Sequence, residues 1–461
     1  ASATATSSAT TEDDLPPPQG ERHTLKSETE LRLEVSPKSN SSLSLTLQKG
    51  SCELWGVELA LHKTYKIHGG VKLAVFTWHG CVIDVESEAL EMSYTSDECN
   101  ANVAYVNTHA QLEALRDEAL SQKKEGPRVL ICGPPESGKT SLSKILMAYA
   151  TKLGRTPLWV DLDPADNSLS VPGTLSVAPM TQSAVSVETF ATSGLVVGTS
   201  TPLVMWYGHS SLDNTDLFAA QIVALAAKMD KRMENDTETA RASGILVNTN
   251  GWIQNDGYQM LLKTIEAMRI TVVLVMGHDR LYSMLKSSNQ DKKNLKVIKL
   301  PRSGGVVSRD SSFVRASRSL AIKRYFYGDF VEGPNSARMP SLTPFLAHVE
   351  FKEVQLYKLT SVALSASLLP VSAKQSTEPV QLTTFDITEK LQHVLLAVCH
   401  PAAVQAFQKS GRARDLYESG VAGFVAVERV LTDTEMLHLL CPCAGSLPSY
   451  TLLTGDITWM E

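Results

Sequence analysis

Short runs of alternating apolar and polar residues fill the first part of the chain, from about residue 28 to residue 106. Clear examples are residues 30–35, 43–47 and 73–78, with turn residues between the runs. A period of two is typical of half-buried antiparallel strands. This pattern predicts an N-terminal antiparallel sandwich or barrel, and the charged segment that follows at residues 111–124 predicts a helix.

The middle third of the chain has a different pattern. Short continuous apolar runs, separated by helical stretches, occupy residues 128–132, 158–162, 245–247, 271–276 and 297–300. Strands that are apolar on both faces and alternate with helices are typical of a buried parallel sheet. After Gly328 the alternating runs return, which predicts a small third domain of mixed helices and strands.

These patterns predict an α/β protein with a parallel central sheet flanked by helices, an N-terminal β-sandwich and a small C-terminal α+β domain. The expected boundaries are a flexible tail at residues 1–24, the β domain at 25–108, the central domain at 109–328 and the C-terminal domain at 329–461. The Ser/Pro-rich stretch at residues 364–380 is expected to be an internal loop.

The composition excludes several classes of protein. The 43 Lys and Arg residues against 49 Asp and Glu residues give a net charge of −6, which excludes a generally basic nucleic-acid binder but not a local basic groove. No apolar run reaches the roughly 18 residues that span a bilayer, so we expect no membrane partner. No secretory signal is visible at residues 1–24, and seven scattered cysteines favour reduced intracellular thiols.

A phosphate-binding loop follows the first central apolar run. It fits the pattern G-x-x-x-x-G-K-[ST] and consists of Gly133, Pro134, Pro135, Glu136, Ser137, Gly138, Lys139 and Thr140. In such loops backbone N–H groups and a helix N-terminus surround the phosphates. Lys139 is expected to reach the β- and γ-phosphates, and the Thr140 hydroxyl is expected to hold Mg²⁺.

An acidic pair, Asp161 and Asp163, lies at the end of the next apolar run. An acid at this place either holds the Mg²⁺ shell or takes a proton from an attacking hydroxyl. Asp163 is the better candidate because ligands bind beyond the carboxyl ends of strands in open α/β sheets. The sequence contains no Asn-Lys-x-Asp motif for guanine, so ATP is the expected nucleotide.

Several further blocks carry a resemblance to a known family. With the phosphate-binding loop, they are residues 77–81, 107–109, 161–163, 171–174, 247–252, 300–307 and 324–328. Together they resemble the RNA 5′-hydroxyl polynucleotide kinase family, and within it the branch that supplies the ATP-binding subunit of pre-mRNA cleavage factor IA. The resemblance covers about residues 28–461 and implies a β domain, a P-loop kinase-like domain and a small C-terminal domain.

The resemblance also implies roles for individual residues. Asp163 is implied as the acid associated with the metal or with activation of the hydroxyl. Trp252 is implied as the aromatic that stacks on the terminal base of an RNA, although a tryptophan after a strand is also an ordinary core residue. Glu30 and Lys72 are implied as adenine contacts, although they are equally compatible with a solvated pair on neighbouring strands.

A basic segment at residues 302–324 corresponds to the arginine lid of the family, in which Arg309 and Arg318 match. The chain departs from the active kinases at Val314, where they have an arginine, and at Asp166, where they have glutamine. Losing a lid arginine removes transition-state stabilisation but leaves ground-state binding of ATP. The resemblance therefore favours an ATP-binding structural subunit over an active kinase.

Three functional hypotheses remain open from the sequence. The preferred one is a nuclear subunit of the cleavage and polyadenylation machinery that uses ATP structurally and binds the scaffold subunit that contacts RNA polymerase II. The second is an active ATP-dependent kinase for the 5′-hydroxyl of RNA, for which pre-mRNA or an RNA 5′ end is the partner. The third is an unrelated P-loop ATPase switch.

Overall fold

The computed structural model describes residues 16–37, 41–191, 201–291, 294–332, 338–361 and 378–460. The predicted loop at residues 364–380 therefore lies largely outside the described residues. The chain divides into two compact units, one formed by residues 1–54 and 58–99 and the other by residues 55–57 and 100–461. No helix in the described ranges combines the length and apolar character needed to cross a membrane.

The N-terminal part of the chain is built from β-strands. In chain order they are β1 (Glu21–Leu25), β2 (Thr29–Val35), β3 (Ser42–Gly50), β4 (Glu53–Leu54), β5 (Val57–Glu58), β6 (Thr64–His68), β7 (Val71–Thr77), β8 (Cys81–Glu86) and β9 (Leu90–Ser96). One sheet has the order β1-β8-β3-β6 and the other β5-β4-β7-β2-β9. Alternate residues such as Leu31, Leu33 and Val35 are buried, which confirms the predicted sandwich.

Strand β1 begins at Glu21, inside the segment that the sequence assigned to a tail. It pairs antiparallel with β8, from Glu21 opposite Val85 to Leu25 opposite Cys81. Asp84 lies in this pairing and accepts hydrogen bonds from Arg22 Nε at 2.7 Å and from Gln48 Nε2 at 2.8 Å. The first strand is therefore attached to the sheet by side chains as well as by its backbone.

The central part of the second unit alternates strands and helices. The elements are α1 (Asn100–Ser121), β10 (Arg128–Cys132), α2 (Lys139–Lys152), β11 (Leu158–Leu162), β12 (Thr174–Pro179), α3 (Val187–Ala191), β13 (Leu203–Trp206), α4 (Thr215–Asn235), α5 (Glu238–Ser243), β14 (Ile245–Thr249), α6 (Asn255–Ala267), β15 (Val272–Met276), α7 (Asp279–Ser288), β16 (Lys296–Leu300) and α8 (Ser311–Tyr327). Helix α1 starts eleven residues before the segment that the sequence predicted as helical.

The central sheet has the strand order β13-β12-β11-β14-β10-β15-β16. Strands β11, β14, β10, β15 and β16 run parallel, whereas β12 is antiparallel to both of its neighbours. Every residue of β10, β11, β14 and β15 is buried, which explains their continuous apolar character. The predicted parallel sheet is confirmed, with a two-stranded antiparallel extension at one edge.

The C-terminal part adds a second sheet. Its elements are β17 (Phe330–Glu332), β18 (Arg338–Pro340), β19 (Phe345–Glu350), β20 (Gln355–Ser361), β21 (Val380–Thr384), β22 (Leu395–Cys399), α9 (Pro401–Ser410), α10 (Arg414–Tyr417), β23 (Val421–Leu431), β24 (Met436–Cys441) and β25 (Thr451–Thr454). The sheet order is β19-β24-β23-β22-β25-β20-β21, and β17 pairs with β18.

Aromatic contacts join the C-terminal part to the central part. Phe326 of α8 stacks on Trp459 with ring centroids 5.5 Å apart, and Trp206 of β13 lies 5.7 Å from Phe424. His209 Nδ1 also lies 2.6 Å from a carboxylate oxygen of Asp456. Helix α8, which contains most of the basic segment, is therefore held at its C-terminal end by the C-terminal core.

Candidate nucleotide-binding site

The phosphate-binding loop connects the end of β10 to the start of α2. Gly138 is the residue before the helix and has a φ of 87°, a conformation that favours glycine. A Cβ atom at this position would lie 2.9 Å from Cγ2 of Val306, so the glycine also allows the basic segment to approach the loop. Val306 of the basic segment therefore packs directly against the phosphate-binding loop.

Lys139 lies at the first position of α2 and is only 7% exposed. Its ammonium group donates a hydrogen bond to the Pro134 carbonyl at 2.7 Å, and the Ser137 hydroxyl donates to the same oxygen at 2.9 Å. Burial lowers the pKa of Lys139, and the carboxyl of Asp163 opposes this shift. An enclosed cation that bonds only a neutral carbonyl is well suited to exchange that bond for a phosphate oxygen.

The two acids beyond β11 have different environments. Asp161 is fully buried and accepts hydrogen bonds from the Ser168 amide at 2.8 Å and from the Asp163 amide at 3.0 Å. Burial and the charge of Asp163 raise the pKa of Asp161 to about 7. Asp163 is half-buried, and its Oδ1 accepts a hydrogen bond from the Ala165 amide at 3.1 Å.

Asp163 interacts with two cations of the site, Lys139 and Arg318. Burial and then the neighbouring Asp166 raise the pKa of Asp163, whereas Lys139 and Arg318 lower it. The structure thus brings together three residues that the sequence selected separately, from α2, from the turn after β11 and from α8. Asp163 has one carboxylate oxygen available for a metal ion, a water or a hydroxyl proton.

Arg309 lies just before α8 and is held by two carboxylates. Its guanidinium forms an ion pair with Asp166 at 2.9 Å, and its backbone N–H donates to Oε1 of Glu136 at 2.6 Å. Glu136 belongs to the phosphate-binding loop and has a φ of 55°. The beginning of the predicted lid is therefore attached both to the loop and to the turn that carries the acids.

Arg318 lies two turns further along α8, and Val314 lies between it and the start of the helix. The Nε atom of Arg318 is buried and has no hydrogen-bond partner among the described residues. Because its charge already acts on Asp163, this side chain is positioned to receive an anion at the same place. Val314 is half-buried and supplies no such group.

Three other predicted residues form contacts of their own. Trp252 is half-buried and packs edge-to-face on Phe218 of α4, with centroids 5.6 Å apart. Glu30 and Lys72 lie in the first unit, where Glu30 is buried against Arg32 and Lys72 pairs with Glu34 at 2.7 Å. Roles in RNA and adenine binding remain predictions for these residues.

Two residues of the site were not selected from the sequence. Asn248, at the end of β14, lies between Thr140 and Asp161 and is fully buried. Lys144 lies one helical turn after Thr140, donates to the Phe190 carbonyl and has its Nζ 4.9 Å from the centre of the Trp55 ring. Burial lowers the pKa of Lys144 to about 8, and Asp166 and Asp161 oppose this shift.

The donor set fits a nucleotide with Mg²⁺. The Thr140 hydroxyl and the Asp163 carboxylate are oxygen ligands of the kind that Mg²⁺ prefers. Next to Thr140, the side-chain oxygen of Asn248 is buried without a hydrogen-bond partner among the described residues. Lys139, Arg309 and Arg318 supply positive charge around the same loop. Together with the parallel sheet, this site defines a P-loop nucleotide-binding protein.

Family models match most of the chain. The N-terminal beta-sandwich domain of polyadenylation factor matches residues 24–119, the P-loop of mRNA cleavage and polyadenylation factor CLP1 matches residues 133–328, and pre-mRNA cleavage complex II protein Clp1 matches residues 342–461. The chain belongs to the Clp1 family. This result confirms the family resemblance inferred from the motif blocks.

Relatives that match along nearly their whole length agree with this assignment. The chain is 37% identical to a CLP1 homologue of Dictyostelium discoideum, and the match covers 95% of this chain and 89% of the relative. It is 34% identical to the polyribonucleotide 5′-hydroxyl-kinase Clp1 of Danio rerio, with 96% and 94% covered. A solved Clp1p–Pcf11p complex has the same fold, with a TM-score of 0.79, 22% identity and 96% and 99% coverage.

Proposed function

We propose that this protein is the ATP-binding subunit of a nuclear pre-mRNA 3′-end cleavage and polyadenylation complex, equivalent to cleavage factor IA, and that its ATP is structural. The observation that carries this proposal is the ion pair between Arg309 and Asp166. It neutralises a lid arginine that a working kinase needs for the charge of the transition state. The groups that bind the ground state of ATP remain in place.

The binding of ATP and Mg²⁺ is assigned to the chain's own residues as follows. Lys139 and the loop amides bind the phosphates, and the Thr140 hydroxyl with the Asp163 carboxylate holds the metal. When bound, Mg²⁺ would neutralise phosphate charge. One similar solved structure, of the extended interface between Pcf11p and Clp1p, is described as explaining ATP loss in a point mutant, which supports ATP as the nucleotide of this family.

Calorimetric titration with ATP and Mg²⁺ tests nucleotide binding. Lys139→Ala should weaken ATP affinity at least about 10-fold, because it removes a buried charge-assisted hydrogen bond. Lys152→Ala is the matched control, since it makes the same change at the other end of α2. Equal affinity of wild type and Lys139→Ala would contradict the proposed site.

An active RNA 5′-hydroxyl kinase is the second candidate function. It is favoured by the raised pKa of Asp163, which burial causes, and by the nearby charges of Lys139 and Arg318. In that reaction Asp163 takes the proton of the 5′-hydroxyl while the two cations stabilise the transferring phosphoryl group. Trp252 would stack on the terminal base of the RNA.

Transfer of a radiolabelled γ-phosphate to 5′-hydroxyl RNA separates the two functions. We expect no transfer, or very weak transfer, by the wild-type protein, and a gain of transfer when Val314→Arg is combined with Asp166→Gln. Asp163→Asn should abolish any transfer that is seen. Efficient labelling by the wild type that disappears in Asp163→Asn would establish the kinase instead.

The proposed partner is the scaffold subunit that contacts RNA polymerase II, a protein of the Pcf11 kind. The similar solved structures are complexes with Pcf11p, which supports a partner of this class. Binding of a purified Pcf11 fragment to the full chain tests the proposal directly. No binding at micromolar concentrations of both proteins would contradict it.

A further inference from the structure

The strand order places Asn248 next to both the phosphate-binding loop and the acidic pair. Strand β14 lies between β10, which leads into the phosphate-binding loop, and β11, which leads into the acids. In the two pairings Asn248 is opposite Ile131 on one side and Asp161 on the other. Its Nδ2 atom is 3.1 Å from Asp161 Oδ1 and 3.4 Å from the Thr140 hydroxyl.

The hydrogen bonds fix which way the amide of Asn248 points. Both carboxylate oxygens of Asp161 already accept backbone N–H groups, from Ser168 and Asp163, so the carboxylate acts as an acceptor. The amide must therefore present its NH₂ group to Asp161. Its carbonyl oxygen then points elsewhere, is fully buried and has no hydrogen-bond partner among the described residues.

A buried carbonyl without a partner destabilises the folded state, so a bound donor or cation would compensate for it. The neighbouring hydroxyl is that of Thr140, the residue whose place in the motif is next to Mg²⁺. Mg²⁺ in nucleotide sites keeps several waters, which are strong donors to amide oxygens. The unpaired oxygen and the position of Thr140 are separate observations that indicate the same ligand.

We propose that Asn248 is a positioning residue of the Mg²⁺ site: its NH₂ group links Thr140 to Asp161, and its carbonyl oxygen accepts a hydrogen bond from the hydrated metal ion. This inference rests on the proposed binding of ATP with Mg²⁺. In this arrangement the strand next to β10, which is β14, supplies a neutral amide. The acids of the metal site come from β11, one strand further away.

The test is the gain in ATP affinity that Mg²⁺ provides, measured by calorimetry as the ratio of the dissociation constant in EDTA to that in Mg²⁺. In Asn248→Ala the gain should fall about 10-fold while the affinity in EDTA stays within about two-fold of wild type. In Asn248→Asp the gain should exceed that of wild type, because a carboxylate attracts the ion and repels the bare phosphates. Thr249→Val, one residue along the same strand, should leave the gain unchanged.

The outcomes separate this inference from the proposed function. No ATP binding by the folded wild-type protein in Mg²⁺ would overturn both. A normal gain in Asn248→Ala, or an equal loss of affinity with and without Mg²⁺, would overturn only the role of Asn248, because a purely structural residue affects both conditions alike. If Asn248→Ala does not fold, as judged by circular dichroism, a gain in Asn248→Asp no larger than that of wild type overturns it.

Discussion

Replacing Asp166 by asparagine should make this protein bind ATP more tightly. In the structure the carboxylate of Asp166 lies 2.9 Å from the guanidinium of Arg309, and no other carboxylate forms an ion pair with that guanidinium among the described residues. Bound phosphates must compete with Asp166 for Arg309 and must also approach a like charge. Asparagine keeps the size of the side chain and removes both obstacles.

The exposure of the pair sets the size of the effect. Both side chains are 35% exposed, so solvent screens the pair and its contribution is about 1 kcal/mol. Releasing Arg309 should therefore improve ATP affinity about 5-fold, and the removed repulsion raises the expected improvement to about 10-fold. Because the effect is electrostatic, it should shrink at high ionic strength.

Calorimetric ATP titrations at low and high salt, on wild type and Asp166→Asn, measure this effect. Asp236→Asn is the matched control, because it also removes one negative charge, from a carboxylate that pairs with Arg232 on α4 rather than with Arg309. Unchanged affinity in Asp166→Asn would refute the competition between Asp166 and the phosphates. Weaker affinity would show instead that Asp166 assists the bound nucleotide.

Two further predictions concern stability and assembly. Burial disfavours ionised Asp84, but hydrogen bonds from Arg22, the Gln19 amide and Gln48 outweigh burial and hold the pKa of Asp84 below its usual range. The ionised carboxylate therefore stabilises the folded protein fully above about pH 4, and this stabilisation is lost as the pH falls further. Asp84→Asn should lower the unfolding free energy by about 2 kcal/mol at pH 7 and weaken the acid dependence seen in thermal melts, whereas the exposed Asp97→Asn should do neither. If ATP organises the surface that the Pcf11-type partner recognises, the folded variants Lys139→Ala and Thr140→Ala should bind that partner less tightly in pull-down titrations. Unchanged partner affinity in these ATP-free variants would contradict a structural role for the nucleotide.

Local patterns made the central fold and the phosphate-binding loop predictable. Strands such as β10 and β15 are apolar throughout because both of their faces are covered, and this property is visible in a single short run of residues. Helix α1 was predicted too short at its start. In the missed part, residues 100–110, the buried residues are Ala101 and Tyr105, which are too few to show a helical period.

The contacts that complete the site could not be predicted in the same way. Asn248 meets Thr140 and Asp161 across 108 and 87 residues of chain, and it does so only because β14 lies between β10 and β11. The sequence identified Asp166 as a departure from the active kinases but gave no indication that Arg309, 143 residues away, would pair with it. Lys144 could have been predicted from the sequence, because helical spacing places it one turn after Thr140.

The site separates the groups that bind ATP from those that a kinase needs for transfer. Lys139 and Thr140 belong to the rigid junction of β10 and α2, and neither depends on the lid. The groups specific to the transition state lie on the lid, where Val314 supplies no charge and where Arg309 pairs with Asp166 of the turn after β11. Only interactions that strengthen in the transition state accelerate a reaction, so the missing charge at Val314 and the paired Arg309 should reduce turnover more than they reduce ATP affinity. If the proposed structural role of ATP is correct, two positions, Val314 and Asp166, separate this chain from an active kinase, while its phosphate-binding loop fits the motif at every position.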